Sequence, residues 1–192
     1  YSYFGDIIDK SYDKYLDDLS EVTLNIFKKL IDRIKEKQIV IPLSAGNDSR
    51  LVASLLKHLG VKNVKCYSYG TPGNFEANIA QTIASKLGYE WKFIPLTHKN
   101  EKKYLKSNHY KKYLDYCETF CSVPHIQGLS TIKYLKDIKW VEVDAIFING
   151  NSGDFISGGH LNSNIKNSFE TDNMNLREEI ILDELIDKHF SL

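Results

Sequence analysis

The stretch "VIPLSAGNDSRLVASLL", residues 40–56, opens as a short apolar run and closes as an apolar stripe at helical spacing, with six small or polar residues from Ser44 to Ser49 between. A run of that length bounded by turn residues fits a strand buried on both faces. Beyond it, Leu51, Val52, Leu55, Leu56 and Leu59 mark one face of a helix, and Gly60 stands where a helix end favours glycine. The junction reads as strand, tight turn, helix.

The same alternation recurs outward from it. Upstream, Leu19, Val22, Ile26, Phe27, Leu30, Ile31 and Ile34 keep helical spacing ahead of the apolar run "QIVIPL" at 38–43. Downstream, "VKCYSY" (64–69) is a second strand and "TPGN" a turn signal. Phe75, Ile79, Ile83, Ala84 and Leu87 line a helix ending at Gly88, and "WKFIPL" (91–96) is a third strand. The lysine- and tyrosine-rich stretch 98–122 shows no clear period. Ile126, Leu129, Ile132, Leu135 and Ile138 then predict a helix before a fourth strand in "AIFIN" (145–149). "NSNIKNSFETDNMN" (162–175) reads as a polar loop before a last amphipathic helix over 176–190. Strands spaced by helices imply right-handed crossovers, hence an α/β fold of three layers, α/β/α, around a mostly parallel doubly wound sheet.

The composition narrows the function. The chain has 192 residues, 42% of them hydrophobic, which suits one domain over 1–192 with a sizeable core. It begins at tyrosine and its only methionine is Met174, so it reads as a segment of a longer chain. The 25 basic residues balance 25 acidic ones, leaving no global field to draw in nucleic acid or an anionic membrane. Three cysteines at no disulfide-scaffold spacing point to a reduced, cytoplasmic setting. Small-molecule chemistry is the expected business of the chain.

In an open parallel sheet, ligands bind outside the carboxyl ends of the strands, where the Ser44–Ser49 turn lies. Small side chains at Ser44, Ala45 and Gly46 let backbone N–H groups approach an anion, and the following helix adds unpaired donors and a partial positive charge. Asp48 would repel a bare phosphate, so its presence makes sense as a ligand of Mg²⁺ bridging carboxylate and phosphate. The turn lacks the lysine of GxxxxGK[ST], which argues against ordinary P-loop phosphoryl transfer.

"LSAGNDSR" resembles the SGGxDS pyrophosphate-binding loop of the N-type ATP pyrophosphatase (PP-loop) superfamily, whose fold is HUP-like, or adenine nucleotide alpha hydrolase-like. "NGNSGDFISGGH" (149–160), after another apolar strand, is similar to the GxGxDExFGGY loop of asparagine synthetase-like enzymes. The resemblance spans roughly residues 20–162, the first part of that family's synthetase domain. It implies that Ser44, Ala45, Gly46, Asn47, Asp48 and Ser49 hold the β- and γ-phosphates of ATP, and that Asp154 joins Asp48 on magnesium. Leu43, Tyr67, Ser68 and Gly150 would frame the adenine and ribose. The implied chemistry is adenylation of a small-molecule carboxylate, releasing pyrophosphate, then amide formation with ammonia or an amine, the ammonia supplied by a glutaminase domain or subunit. The sequence itself names no catalytic side chain.

Other readings stay open beside this one. The turn by itself could be a helix start capped by Asp48 or Ser49. Glu76 fits either a helix dipole or nucleotide contact, and Arg50 either phosphate or a surface role. Cys117 and Cys121 share a helix face and read as core, although they would also suit a thiolation enzyme. The six lysines from Lys99 to Lys112 read as a solvated face. His125 and His160 receive no chemical role. Three departures bear on activity: Ala45 replaces the family's second glycine and requires a backbone without positive φ, Asn151 stands where the family loop has glutamate, and Phe155 replaces an acid. The family's downstream lysine has no counterpart, since Lys166 and Lys188 lie too close to the second loop. The alternatives are a tRNA-thiolating or NAD synthetase-like enzyme of the same superfamily, and a nucleotide-binding module with impaired catalysis.

Overall fold

In a computed structural model, which describes residues 10–117, 126–151, 153 and 162–190, the chain divides into two compact units, 1–149 and 150–192. The first unit carries α1 (Tyr12–Ile34), β1 (Ile39–Pro42), α2 (Asn47–His58), β2 (Val64–Gly70), α3 (Phe75–Leu87), β3 (Glu90–Pro95), α4 (His98–Leu105), α5 (Asn108–Cys117), α6 (Leu129–Asp137) and β4 (Ile146–Phe147).

The four strands form one parallel sheet in the order β3-β2-β1-β4. Chain order therefore runs outward from β1 to β3 and then returns to β1's other side, which puts the topological switch between β1 and β4. β1 begins opposite both neighbours: Ile39 pairs with Val64 of β2 and with Ile146 of β4.

The two sheet faces bury different side chains because successive strand residues alternate. Ile39, Ile41 and Leu43 of the β1 segment join Cys66 of β2 under Ile34 of α1, Val52, Ala53 and Leu56 of α2, and Ala80 and Ala84 of α3. The opposite face presents Val40, Tyr67, Ile94 and Phe147 to Leu135 of α6. Helices thus cover both faces, and the expected α/β architecture holds.

Capping explains where the helices start and stop. Ser11 accepts from the N–H of Lys14 at α1, Asn74 from Ala77 at α3, and Thr97 from Asn100 at α4. Gly88 closes α3 in the left-handed conformation at φ 72°. At the amino end of the sheet the buried Gln38 side chain accepts the N–H of Glu142, 2.9 Å, while the Gln38 carbonyl accepts that of Ile146, 2.8 Å, tying β1 to the approach to β4.

Several segments differ from the sequence expectation. The stretch 98–122 holds α4 and α5 over its described residues, and β4 uses only two residues of "AIFIN". The expected polar loop over 162–175 contains a short helix. In the second unit this helix, α7 (Ser163–Ser168), precedes α8 (Met174–Phe190). Arg177 fastens the two: its guanidinium donates to the carbonyls of Ser168 and Thr171 and lies 5.2 Å from the ring centroid of Phe169. Ile165 and Ser168 are buried. Asn and Ser have poor helix propensity, so packing rather than local preference makes α7.

Candidate functional site

β1 delivers the chain into the turn held by hydrogen bonds to its neighbours. The N–H of Leu43 donates to the carbonyl of Tyr67 at 2.8 Å, and the hydroxyl of Ser68 donates to the carbonyl of Leu43 at 2.6 Å. The same hydroxyl accepts from the indole Nε1 of Trp91 at 3.0 Å. One buried serine therefore links β3, β2 and the residue that opens the turn.

Within the turn the two serines organise the backbone. The N–H of Ser44 donates to Ser49 Oγ at 3.2 Å, the two hydroxyls lie 3.2 Å apart, and the N–H of Gly46 donates to Ser44 Oγ at 3.1 Å. Arg50 closes the far side, its Nη2 donating to the carbonyl of Ala45 at 2.7 Å. A Cβ added to Gly46 would come within 3.2 Å of Ser44 Oγ, so the close approach of backbone and serine uses the missing side chain. Ala45 is not among the residues with positive φ, which removes the obstacle its substitution for glycine raised.

Gly46 is the N-cap of α2, and no side chain caps that end. Neither Asp48 nor Ser49 performs the capping that a purely structural turn called for; Ser49 Oγ is turned instead to Ser44. The first-turn amides of α2 therefore have no side-chain cap, and with the helix dipole behind them they could accept an anion. Asp48 sits half-buried in that first turn. Its carboxylate is a hard oxygen donor beside an uncapped helix N-terminus, a donor type that could hold Mg²⁺.

Tyr67 and Ser68, expected near the base, have their side chains committed elsewhere. Tyr67 is buried against Phe147, ring centroids 6.2 Å apart, and Tyr69, also 6.2 Å. Burial pushes its phenol up out of the range where it ionises. What these residues offer to a ligand is backbone. Sequence reasoning missed Tyr69, which stands on the same face two residues on, near the carboxyl end of β2. Gly128 holds the turn before α6 at φ +79°, a conformation that favours glycine, and packs against this ring, where a Cβ would meet the hydroxyl at an ordinary contact distance of 3.4 Å. Only the β2–α6 packing reveals the pair; no spacing in the sequence does. Cys66 is buried and its thiol is pushed up to about 12 by loss of solvation, which leaves it inert.

β4 lies beside β1, with the N–H of Ile148 donating to the carbonyl of Val40 at 3.0 Å, and the second glycine-bearing segment follows it in the chain. Gly150, the first residue of the second unit, accepts from Gly153 at 3.1 Å in a turn. Asp154, Phe155, Cys121, His125 and His160 lie outside the described residues. Among the described residues no three His, Cys, Asp or Glu side chains gather into a metal-binding group.

A parallel doubly wound sheet with an uncapped, serine-braced turn after its first strand defines an open α/β protein of the kind that takes ligands at its strand ends. The asparagine synthase family model matches residues 34–182, three quarters of the chain and both glycine-bearing segments. The chain belongs to the asparagine synthase family, among the ATP-utilising PP-loop proteins.

Among solved structures it is similar to the NH3-dependent NAD synthetase of Campylobacter jejuni, crystallised with nitrate, at 20% identity and a TM-score of 0.44 over 74% of this chain and 59% of that one. It is also similar to a predicted tRNA methyltransferase subunit of Methanocaldococcus jannaschii, at 24% identity and a TM-score of 0.34 over 59% of this chain and 52% of that one. The chain thus spans little more than half the length of either. No curated protein matches its sequence significantly.

Proposed function

We propose that this protein adenylates a substrate carboxylate with ATP and passes the acyl group to an amine, in the manner of asparagine synthetase. The observation that carries this reading is the family match across both glycine-bearing segments, and the uncapped start of α2 supports it.

In this reading Ser44, Ala45, Gly46, Asn47 and Ser49 cradle the β- and γ-phosphates, while Leu43, Tyr67, Ser68 and Gly150 contribute backbone around the base and ribose. Asp48 and Asp154 would hold magnesium, which when bound would offset the charge of the triphosphate. An acceptor carboxylate oxygen attacks the α-phosphorus, the bond to the β-phosphate oxygen breaks, and pyrophosphate leaves, giving an acyl-adenylate. Ammonia or an amine then attacks the acyl carbon, AMP departs with the carboxylate's oxygen, and the nitrogen sheds a proton. Positioning and backbone electrostatics supply the rate enhancement, with no side-chain nucleophile. A glutaminase domain or subunit is the proposed ammonia source, and the cytosol, where Cys66 and Cys117 stay free thiols, the proposed setting.

The test is to incubate the protein with Mg-ATP and a panel of small carboxylates, with and without ammonium, and to separate the nucleotide products. AMP with pyrophosphate is expected; ADP with phosphate would overturn the reading. Asn151 favours a second reading, because an amide in the family's glutamate position does not titrate and cannot handle a proton during amine attack. ATP binding without turnover, restored in Asn151→Glu, would mark a module whose catalysis has lapsed.

A further inference from the structure

α2 and α3 lie side by side on one face of the sheet, and a cleft of about 420 Å³ opens between them. Five of its seven lining residues, Ile79, Thr82, Ile83, Lys86 and Leu87, come from one face of α3, spaced as neighbours on a helix. Arg50 and Ser54 line it from α2. Ile83 and Leu87 are half-buried with their inner sides on the core, so the floor is an apolar stripe extending outward from it. The rim carries two cations and two hydroxyls, and no carboxylate. Among the described residues neither Arg50 nor Lys86 pairs with an acid. Two unneutralised cations over an apolar floor fit a ligand with an anionic head and a hydrocarbon body, and a space of this size is ordinary for a small-molecule site.

We propose that this cleft binds an aliphatic carboxylate of medium chain length, its head between Arg50 and Lys86 and its chain along Ile79, Ile83 and Leu87. Arg50 gives the site a second consequence. Its guanidinium already holds the carbonyl of Ala45 in the Ser44–Ser49 turn, so a carboxylate that recruits Arg50 alters the backbone that faces the nucleotide. Occupancy of the cleft and affinity for Mg-ATP are then linked reciprocally. That coupling rests on the nucleotide reading of the turn; the binding itself does not.

The probe is hexanoate, titrated calorimetrically into the nucleotide-free protein, with hexylamine and acetate as controls. Hexanoate is expected to bind with a dissociation constant on the order of 1 mM, and both controls to bind at least several-fold more weakly. Thr82→Glu sets an acid in the rim and Lys86→Gln removes a cation; both positions are exposed, so folding is retained, and each is expected to weaken hexanoate about fivefold or more. Binding of hexylamine as tight as hexanoate, no heat from hexanoate up to tens of millimolar, or unchanged affinity in both variants would overturn the site. The coupling is read separately, by titrating Mg-ATP with and without saturating hexanoate. A shifted ATP affinity in wild type that disappears in Lys86→Gln upholds the link, and an unshifted one removes it while leaving the site standing.

Discussion

Asp48 and Ser68 carry the most specific consequences at the scale of single residues. Asp48 is the half-buried carboxylate in the first turn of α2, so Asp48→Asn should weaken ATP about 10- to 100-fold in the presence of magnesium, the range expected for loss of one charged interaction. Without magnesium the same substitution should leave ATP affinity unchanged or improve it, because a repelling charge is gone; calorimetry under both conditions checks the pair of outcomes. Ser68→Ala removes a hydroxyl that serves the Leu43 carbonyl and the Trp91 indole together. Leaving a buried carbonyl without its partner should cost about 1–3 kcal/mol in denaturant unfolding. The Ser44–Ser49 turn is legible in the sequence because small residues between a strand and a helix have few other uses. Tyr69 against Gly128 is not, because a residue in β2 meets a turn some sixty positions away only once the sheet and α6 exist.

At the scale of elements, the sequence shows most where one face alone decides the structure. α2 and α3 follow their apolar stripes and stop at glycines, so Gly60 and Gly88 mark both ends correctly. Leu56, fully buried in α2, is part of that stripe. Leu56→Ala should lower stability by about 2–5 kcal/mol in denaturant titration. α4 and α5 escape such reading because Tyr104 is the only buried residue that either helix contributes, and five lysines interrupt any apolar stripe. α7 escapes it because Arg177, fourteen residues beyond its first residue, holds the carbonyl at its end.

β2 and β3 add a pH-dependent element. Lys65 and Glu90, partners in the strand register, lie 2.9 Å apart, and Trp140 Nε1 donates to Glu90 at 2.7 Å. The bond from Lys65 holds the Glu90 carboxyl below its ordinary value of 4.5. A depressed carboxylate contributes stability above its unfolded value and loses it as pH falls through the folded one. Because Glu90 is more than half exposed, the contribution is under about 1 kcal/mol. Glu90→Gln should therefore melt slightly lower than wild type at neutral pH, and the two curves should converge as pH falls below the carboxyl's ordinary value and through its lowered folded one.

For the whole molecule, the sheet order gives the site its place. β1 is flanked by β2 and β4, and the chain reverses its direction of travel across the sheet there, so the strand with the candidate turn is also the one beside the switch. The sequence could announce that strands alternate with helices, yet it could not announce this order, since "AIFIN" carries no mark of which neighbour it pairs with. Two hydrogen bonds, from Ile146 to Gln38 and from Ile148 to Val40, decide it.

Trp91 makes this arrangement optically observable. Its indole proton ends on the hydroxyl that restrains the first residue of the turn, so motion at Leu43 alters the polarity the ring senses. The chain has two tryptophans, and Trp140→Phe leaves Trp91 as sole emitter. Adding Mg-ATP to that variant should shift its emission spectrum without any attached dye. A spectrum that stays put while calorimetry registers binding would mean that the nucleotide seats without disturbing the strand end from which the turn is hung.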